Sequence, residues 1–397
     1  MTYPKTSPLT SPMATGVSRR GSWRKPAARL AALCVLTAAG AAAMAAEYTV
    51  VVLQSLTGPA AFVGVSARDG MLLAAEEINR KQEMGPGNTL KLIVADDAND
   101  KAQTLTLLNR YAADPSILIV VGPTSSATAL AAASASNDLK IPIFPITNSM
   151  DIIKAGPWAN IMTQPPEAVV PHIANYAADK LKVKNCTSIG ISDVQVYVSL
   201  SRGFENVLKA RGVKVGAVES IKGSDSDFSA LATKVVGGDQ DCVFISATAP
   251  QGANIIMQLK QAGLDPKTKI LGHAAFGSSQ LVQTGGKAVE GVYLVGDWAP
   301  GGSSDFGRAF AAAFKAKYNA DADNYNAVGY GGMRVVAAAI KAAGPNPTRE
   351  TVRAALSRSK DVPVVVGNGR FTYDEQRIPQ TGMNVLMVRE GKFELAP

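Results

Sequence analysis

The stretch Ile117-Leu118-Ile119-Val120-Val121-Gly122-Pro123-Thr124-Ser125-Ser126-Ala127-Thr128 decides the fold. Five apolar, mostly β-branched residues in a row predict a strand buried on both faces. Gly122-Pro123 ends the strand, and an alanine-rich helix is expected over 124–137. A strand passing through a glycine turn into a helix is the repeating unit of a parallel sheet. The same unit recurs on either side. Strands are expected at 50–53 and 90–95, with helices at 66–78 and 100–112, and a fourth strand at 141–146. Ser66 with Asp69 is expected to cap the first helix. A second cycle follows the turn-rich Gln164-Pro165-Pro166, with strands at 188–191, 213–218, 242–246, 269–271 and 292–295. Its helices are expected at 199–210, 228–236 and 252–262. Two such runs predict an α/β protein of two doubly wound parallel-sheet lobes.

The tail starts no third lobe. Helices at 306–318, 327–343 and 348–357 need a sheet to pack on, and short strands at 370–373 and 384–388 close the chain. The chain therefore returns to the first lobe and ends on the second, which joins the lobes by a multi-strand hinge. The expected bounds are 46–165 with 297–365 for the N-terminal lobe, and 166–296 with 366–397 for the C-terminal lobe. About 350 residues beyond the N-terminal segment exceed what a single core supports.

Residues 1–45 read as an export signal. Arg19, Arg20, Arg24, Lys25 and Arg29 precede an uncharged apolar run from Leu30, and Ala43-Met44-Ala45 supplies the small-x-small cleavage pattern. The run is too short to span a bilayer comfortably. Arg19-Arg20 after Ser18 hints at twin-arginine export, but Ser22 replaces the large apolar residue that signal carries, which favours general secretion. Leu33 before Cys34 argues against lipid attachment. The segment holds six of the 40 basic residues and none of the 32 acidic ones, so the net charge of +8 falls to +2 on its removal. A nearly neutral surface has no field to draw nucleic acid, and none is expected as a partner.

Enzyme chemistry is scarce. His172 and His273 are the only histidines, and neither has a Cys, His or carboxylate at metal-ligand spacing. No phosphate-binding glycine loop and no G-x-S-x-G elbow occurs. No cofactor, metal or catalytic residue is expected. Cys186 and Cys242 begin two strands that are neighbours in the order 2-1-3-4-5. An oxidising compartment permits a disulfide between them, and two buried thiols are the alternative.

Open α/β sheets bind ligands at the carboxyl ends of their strands. Three stretches lie there: Gly122 to Thr128, Pro145-Ile146-Thr147-Asn148, and Gln54 to Phe62. The first opens a helix, whose free N–H groups and positive potential suit a carboxylate. Ser125 and Ser126 add hydroxyl donors, and Thr147 adds another from a second direction. Phe62 is placed to reach the cleft.

At these residues the chain resembles the leucine-binding family of periplasmic receptors, which have the type I periplasmic binding protein fold and serve branched-chain amino acid ABC importers. The resemblance rests on Leu56-Thr57-Gly58-Pro59-Ala60, Asp69-Gly70, Glu77-Ile78-Asn79, Asp96-Asp97 and Val120-Val121-Gly122-Pro123 with Ser125-Ser126. Ile141-Pro142 with Thr147, Tyr197, Gly203-Phe204, Lys260-Gln261-Ala262-Gly263, Gly291-Val292-Tyr293 and Gly329-Tyr330 extend it along the chain after residue 45. It implies a monomeric periplasmic receptor that hands a small carboxylate ligand to an inner-membrane ABC permease. It implies that Ser125, Ser126 and Thr147 hold the ligand carboxylate, that Pro145 offers its carbonyl, and that Phe62 and Tyr197 line the side-chain pocket.

The sequence also departs from that family. Its amino-acid receptors place an acid near residue 273, to pair with the ligand ammonium; here the stretch is Gly272-His273-Ala274-Ala275-Phe276. A tyrosine often follows the strand ending near Ser246; here Thr248 stands between two alanines. Two ligand classes therefore stay open: an amino acid, with Asp193 or Asp297 supplying the missing charge, or a non-amine monocarboxylate, with His273 and Phe276 flanking an aromatic ring. A ligand sensor for a signalling partner would share the fold.

Overall fold

The computed structural model describes residues 45–300 and 304–397, so the expected export signal lies outside the described residues but for Ala45. The chain first runs through β1 (Glu47–Gln54), α1 (Ala61–Arg80), β2 (Thr89–Asp96), α2 (Lys101–Ala112), β3 (Ile117–Val121), α3 (Ser126–Leu139) and the short α4 (Asp151–Lys154). It continues through α5 (Pro166–Asp179), β4 (Asn185–Ile191), α6 (Gln195–Ala210), β5 (Lys214–Ile221), α7 (Ser229–Val236), β6 (Cys242–Ser246), α8 (Ala249–Gln261), β7 (Lys269–Gly272), α9 (Ser279–Gly285) and β8 (Tyr293–Gly296). It closes with α10 (Asp305–Tyr318), α11 (Asn324–Ala342), α12 (Arg349–Leu356), β9 (Val362–Pro363), β10 (Arg370–Phe371), β11 (Asn384–Arg389) and β12 (Lys392–Leu395).

Two larger sheets result. The first has the order β2-β1-β3, all parallel. The second has the order β12-β11-β8-β7-β6-β4-β5, parallel from β8 to β5, with β11 antiparallel to β8 and β12 antiparallel to β11. Side chains alternate across a strand, so each apolar strand feeds two cores. Val50 and Val52 face a core shared with α1, α10, α11 and α12, while Val51 and Leu53 face α3. In β6, Val243 and Ile245 pack on one side, and Cys242 and Phe244 on the other.

The expected fourth strand, 141–146, runs beside β3 but carries only isolated bridges, from Ile143 to Val120 and to Ala159. Pro142 and Pro145 have no N–H to give, so a continuous ladder cannot form. Bonds from Val120 N to the Pro142 carbonyl and from Gly122 N to the Phe144 carbonyl, both 2.9 Å, hold the segment in place. Helix α1 begins at Ala61, not at Ser66. A backbone turn from Ala61 N to the Gly58 carbonyl, 3.2 Å, starts it, and Ser66 lies inside it, donating to Asp323. Helix α5 starts at the end of the turn-rich Gln164-Pro165-Pro166: Pro166 sits in its first turn, where a missing N–H costs nothing.

Helices α1 and α11 touch backbone to backbone. A Cβ on Gly70 would lie 2.0 Å from the Asn326 carbonyl oxygen, and one on Gly329 would lie 2.1 Å from that of Ala67. Asn326 also donates to the Ser66 carbonyl at 2.7 Å. The chain passes between the two sheets' cores at three places. The first lies between Met162 and Val169, the second around Asp297, and the third between Tyr373 and Leu386. Val366, Phe371 and Tyr373 pack in the first sheet's core, so the expected boundary at 365 falls too early. Cys186 and Cys242 are paired in register between β4 and β6 and are joined by a disulfide, with Cα atoms 4.4 Å apart. Among the described residues, no helix is long and apolar enough to cross a membrane.

Candidate functional site

The site is built outward from the end of β3. Gly122 has φ of +131°, and a Cβ there would lie 1.7 Å from the Leu53 carbonyl oxygen, so only glycine lets the chain pass β1 so closely. The loop after it is pinned from below. Gln54 donates to the Val121 carbonyl at 3.0 Å, Thr124 donates to Gln54 Oε1 at 2.7 Å, and Ser55 N donates to Thr124 Oγ1 at 3.1 Å. All three bonds are buried, which fixes where α3 begins. Ser125 caps α3, accepting from Thr128 N at 3.3 Å. The first intrahelical bond runs from Ala129 N to the Ser125 carbonyl at 2.8 Å. The N–H groups of Ser126 and Ala127 come before it, and both residues border a cavity of about 310 Å³. Ser126 Oγ lies 2.8 Å from Thr147 Oγ1, and Ser149 N donates to that same Thr147 oxygen at 3.2 Å. One wall of the cavity thus presents two hydroxyls and a helix start.

The opposite wall comes from the second sheet. Tyr197 stands in α6, Thr248 caps α8, His273 follows β7, and Asp297 follows β8. Phe62 and Tyr325 close the side, their rings 6.2 Å apart and nearly perpendicular. Tyr197 and His273 lie 5.4 Å apart. Burial pushes the Tyr197 hydroxyl up to about 12. Burial also pushes the His273 imidazole down to about 4, against a smaller opposing pull from the Ala247 carbonyl. His273 is therefore neutral near pH 7; its Nδ1 accepts from Ala275 N at 3.3 Å, and its buried Nε2 has no partner of good geometry. Burial raises the Asp297 carboxyl, and hydrogen bonds from Asn324 and its own amide oppose the rise. Asn324 holds Asp297 from both sides: Nδ2 donates to Asp297 Oδ2 at 3.1 Å, and Oδ1 accepts from Asp297 N at 2.7 Å.

Of the residues singled out from sequence, Phe62, Ser125, Ser126, Thr147, Tyr197, Thr248 and His273 border this one cavity. Pro145, Asp193 and Phe276 do not. The Pro145 carbonyl is taken by Met162 N at 3.1 Å. Asp193 is exposed and accepts from Gly223 N at 2.9 Å, as a loop fastener. Phe276 is fully buried in a slot left by two glycines: a Cβ on Gly252 or Gly272 would lie 2.3 or 2.2 Å from its ring. Asp297 borders the cavity, and Asp193, its alternative in the sequence reading, does not. Tyr325, Gln164 and Met383 border it too and were not singled out as site residues from the sequence. The available signal for Tyr325 was the capping box of Asp323 and Asn326, which starts α11 ahead of the expected residue 327.

Comparison with known proteins agrees with this architecture. The chain is 28% identical over 350 residues to the Leu/Ile/Val-binding protein BraC3 of Rhizobium johnstonii, a match covering 87% of this chain and 92% of that one. Its fold superposes with a TM-score of 0.79 on the branched-chain amino acid transporter substrate-binding protein LivJ of Streptococcus pneumoniae, solved in complex with isoleucine. That pair shares 22% identity, over 88% of this chain and 98% of the other. A solute-binding protein of an ABC transporter from Rhodopseudomonas palustris, solved with 3,4-dihydroxybenzoic acid, superposes with a TM-score of 0.78 at 21% identity, over 87% and 95% of the two chains. The family model for periplasmic binding proteins matches residues 47–392, which takes in β1 to β11 and every wall of the cavity, and the chain belongs to that family.

Proposed function

We propose that this protein is the substrate-binding receptor of an ABC importer, closing two lobes over a small carboxylate-bearing ligand. The observation that carries the reading is the Ser126–Thr147 hydroxyl pair at the start of α3, facing Tyr197 and His273 across the cavity. Hydroxyls and helix-start amides stabilise a carboxylate without a cation. The relatives named for leucine, isoleucine and valine support a branched-chain or related amino acid as the ligand. A non-amine aromatic acid is the second reading, favoured by the neutral His273 beside Tyr197 and by the dihydroxybenzoate-bound neighbour. In this account residues 1–45 direct export and are removed near Ala45, and the mature chain works as a periplasmic monomer that docks on an inner-membrane permease. No chemical step belongs to the receptor. A thermal-shift screen of amino acids against aromatic and aliphatic acids tests the reading: a ligand at a hundredfold excess over its dissociation constant stabilises by about 2.7 kcal/mol. No stabilisation by any acid would refute it.

A further inference from the structure

We propose that Asp323 is a positioning residue of the hinge: its carboxylate ties the two lobes together beside the ligand cavity and fixes the point about which they move. The proposal goes beyond the receptor reading above, which supplies the closing lobes, and concerns a residue that does not border the cavity. Asp323 is 3% exposed and caps α11, its Oδ1 accepting from Asn326 N at 3.0 Å. The other oxygen, Oδ2, accepts from Ser66 Oγ at 3.1 Å and from Ser279 N at 3.0 Å. Ser66 lies in α1, which packs with α11 in the first sheet's core. Ser279 begins α9, whose Leu281 is fully buried in the second sheet's core. One oxygen therefore holds an element of each lobe.

A helix cap needs only Oδ1, so capping does not account for the bonds at Oδ2. The Ser279 N–H stands in the first turn of α9, where no partner exists within the helix itself, and its partner comes from the other lobe. The join is close: a Cβ on Gly277 would lie 2.7 Å from Asn324 Cβ. The second-lobe segment that ends at Ser279 carries His273, Ala274 and Ala275, which border the cavity, and on the first-lobe side Tyr325 does so. The tether thus sets how those two walls stand to each other. The three crossings of the chain join the lobes by backbone, whose dihedrals absorb hinge motion. A charge-assisted bond beside them restricts that motion. Lobes that wander before binding must be ordered by it, at a cost in affinity.

The test measures distances between the lobes without ligand, by pulsed electron spin resonance with labels at Thr106→Cys on α2 and Asn206→Cys on α6, both exposed. Asp323→Asn keeps an acceptor for the α11 cap and takes away the one for Ser279 N. Ser279→Pro removes the N–H itself: proline suits the first position of a helix, and Ser278 before it is already extended, with φ of −80° and ψ of 140°. Ser279→Ala keeps the N–H and is the control. The expected distance distribution is about twofold wider than wild type in Asp323→Asn and in Ser279→Pro, and of wild-type width in Ser279→Ala. A wild-type width in either folded tether variant overturns the proposal. A cap alone would lower the unfolding midpoint of Asp323→Asn and leave the width of its folded population unmoved. If Asp323→Asn fails to fold, Ser279→Pro decides, since it leaves the cap intact. Hydrogen exchange on the unaltered protein needs no variant: the Ser279 amide should exchange roughly a hundredfold more slowly than a solvated helix-start amide, and unprotected exchange overturns the proposal. Neither measurement uses an acid, so an empty thermal-shift screen would end the receptor reading and leave the tether to be judged on its own results.

Discussion

Thr147 Oγ1 and Ser126 Oγ form a pair that a ligand carboxylate can bridge, so removing one hydroxyl removes one charge-assisted bond. Thr147→Val keeps the shape and should weaken the bound acid by about 10- to 100-fold, following the 1.5–3 kcal/mol of a hydrogen bond to a charged group. Unchanged affinity in calorimetry would take Thr147 out of the site. His273 gives a pH signature of stability. Its folded value is about 4, against about 6.5 in an unfolded chain, so the unfolded state takes up the proton first. Stability should therefore fall as pH drops from about 6.5 to about 4, by on the order of 3 kcal/mol at the lower end. Urea unfolding at pH 7, 5.5 and 4 reads this directly, and His273→Gln should flatten that part of the profile. The hydroxyl cluster was legible in the sequence because a glycine turn placed it at a strand end. Phe276 was not, because the slot that hides it is made by Gly252, on a different element. Tyr325 was not, because its helix starts with a capping box instead of an apolar periodicity.

At the scale of elements, α1 and α11 are locked by two reciprocal glycines, and there is no room for a methyl group at either. Gly329→Ala should push the helices apart and cost about 2–3 kcal/mol of unfolding free energy, measured by chemical denaturation. A wild-type midpoint in that variant would show that the contact is slack. Strands buried on both faces were the easiest elements to read: β3 falls where five apolar residues run without interruption, and β6 where four do. The segment 141–146 reads the same way by hydropathy, yet two prolines deny it a ladder. The start of α1 was misplaced because a backbone turn at Gly58, with no side-chain cap, sets it.

At the scale of the whole molecule, the order of two α/β runs announced two sheets, and the low charge beyond residue 45 pointed away from nucleic acid. The place where the tail changes sheets was harder, because Val366, Phe371 and Tyr373 lie outside the strands of the first sheet and are claimed by its core only through packing. The Cys186–Cys242 bond closes a loop with a sequence separation of 56 within the second sheet. Replacing both cysteines by serine should lower stability by about 4 kcal/mol on the chain-entropy account. Ligand affinity should stay unchanged, since neither sulfur borders the cavity. Among the described residues that line the cavity there is no lysine or arginine, which bears on how quickly a molecule is caught. A lining with no basic side chain among the described residues exerts little pull on an acid, so arrival is left to diffusion and collision geometry. Stopped-flow association rates should then hardly move between dilute buffer and half-molar sodium chloride, giving a scavenger indifferent to the brine around it.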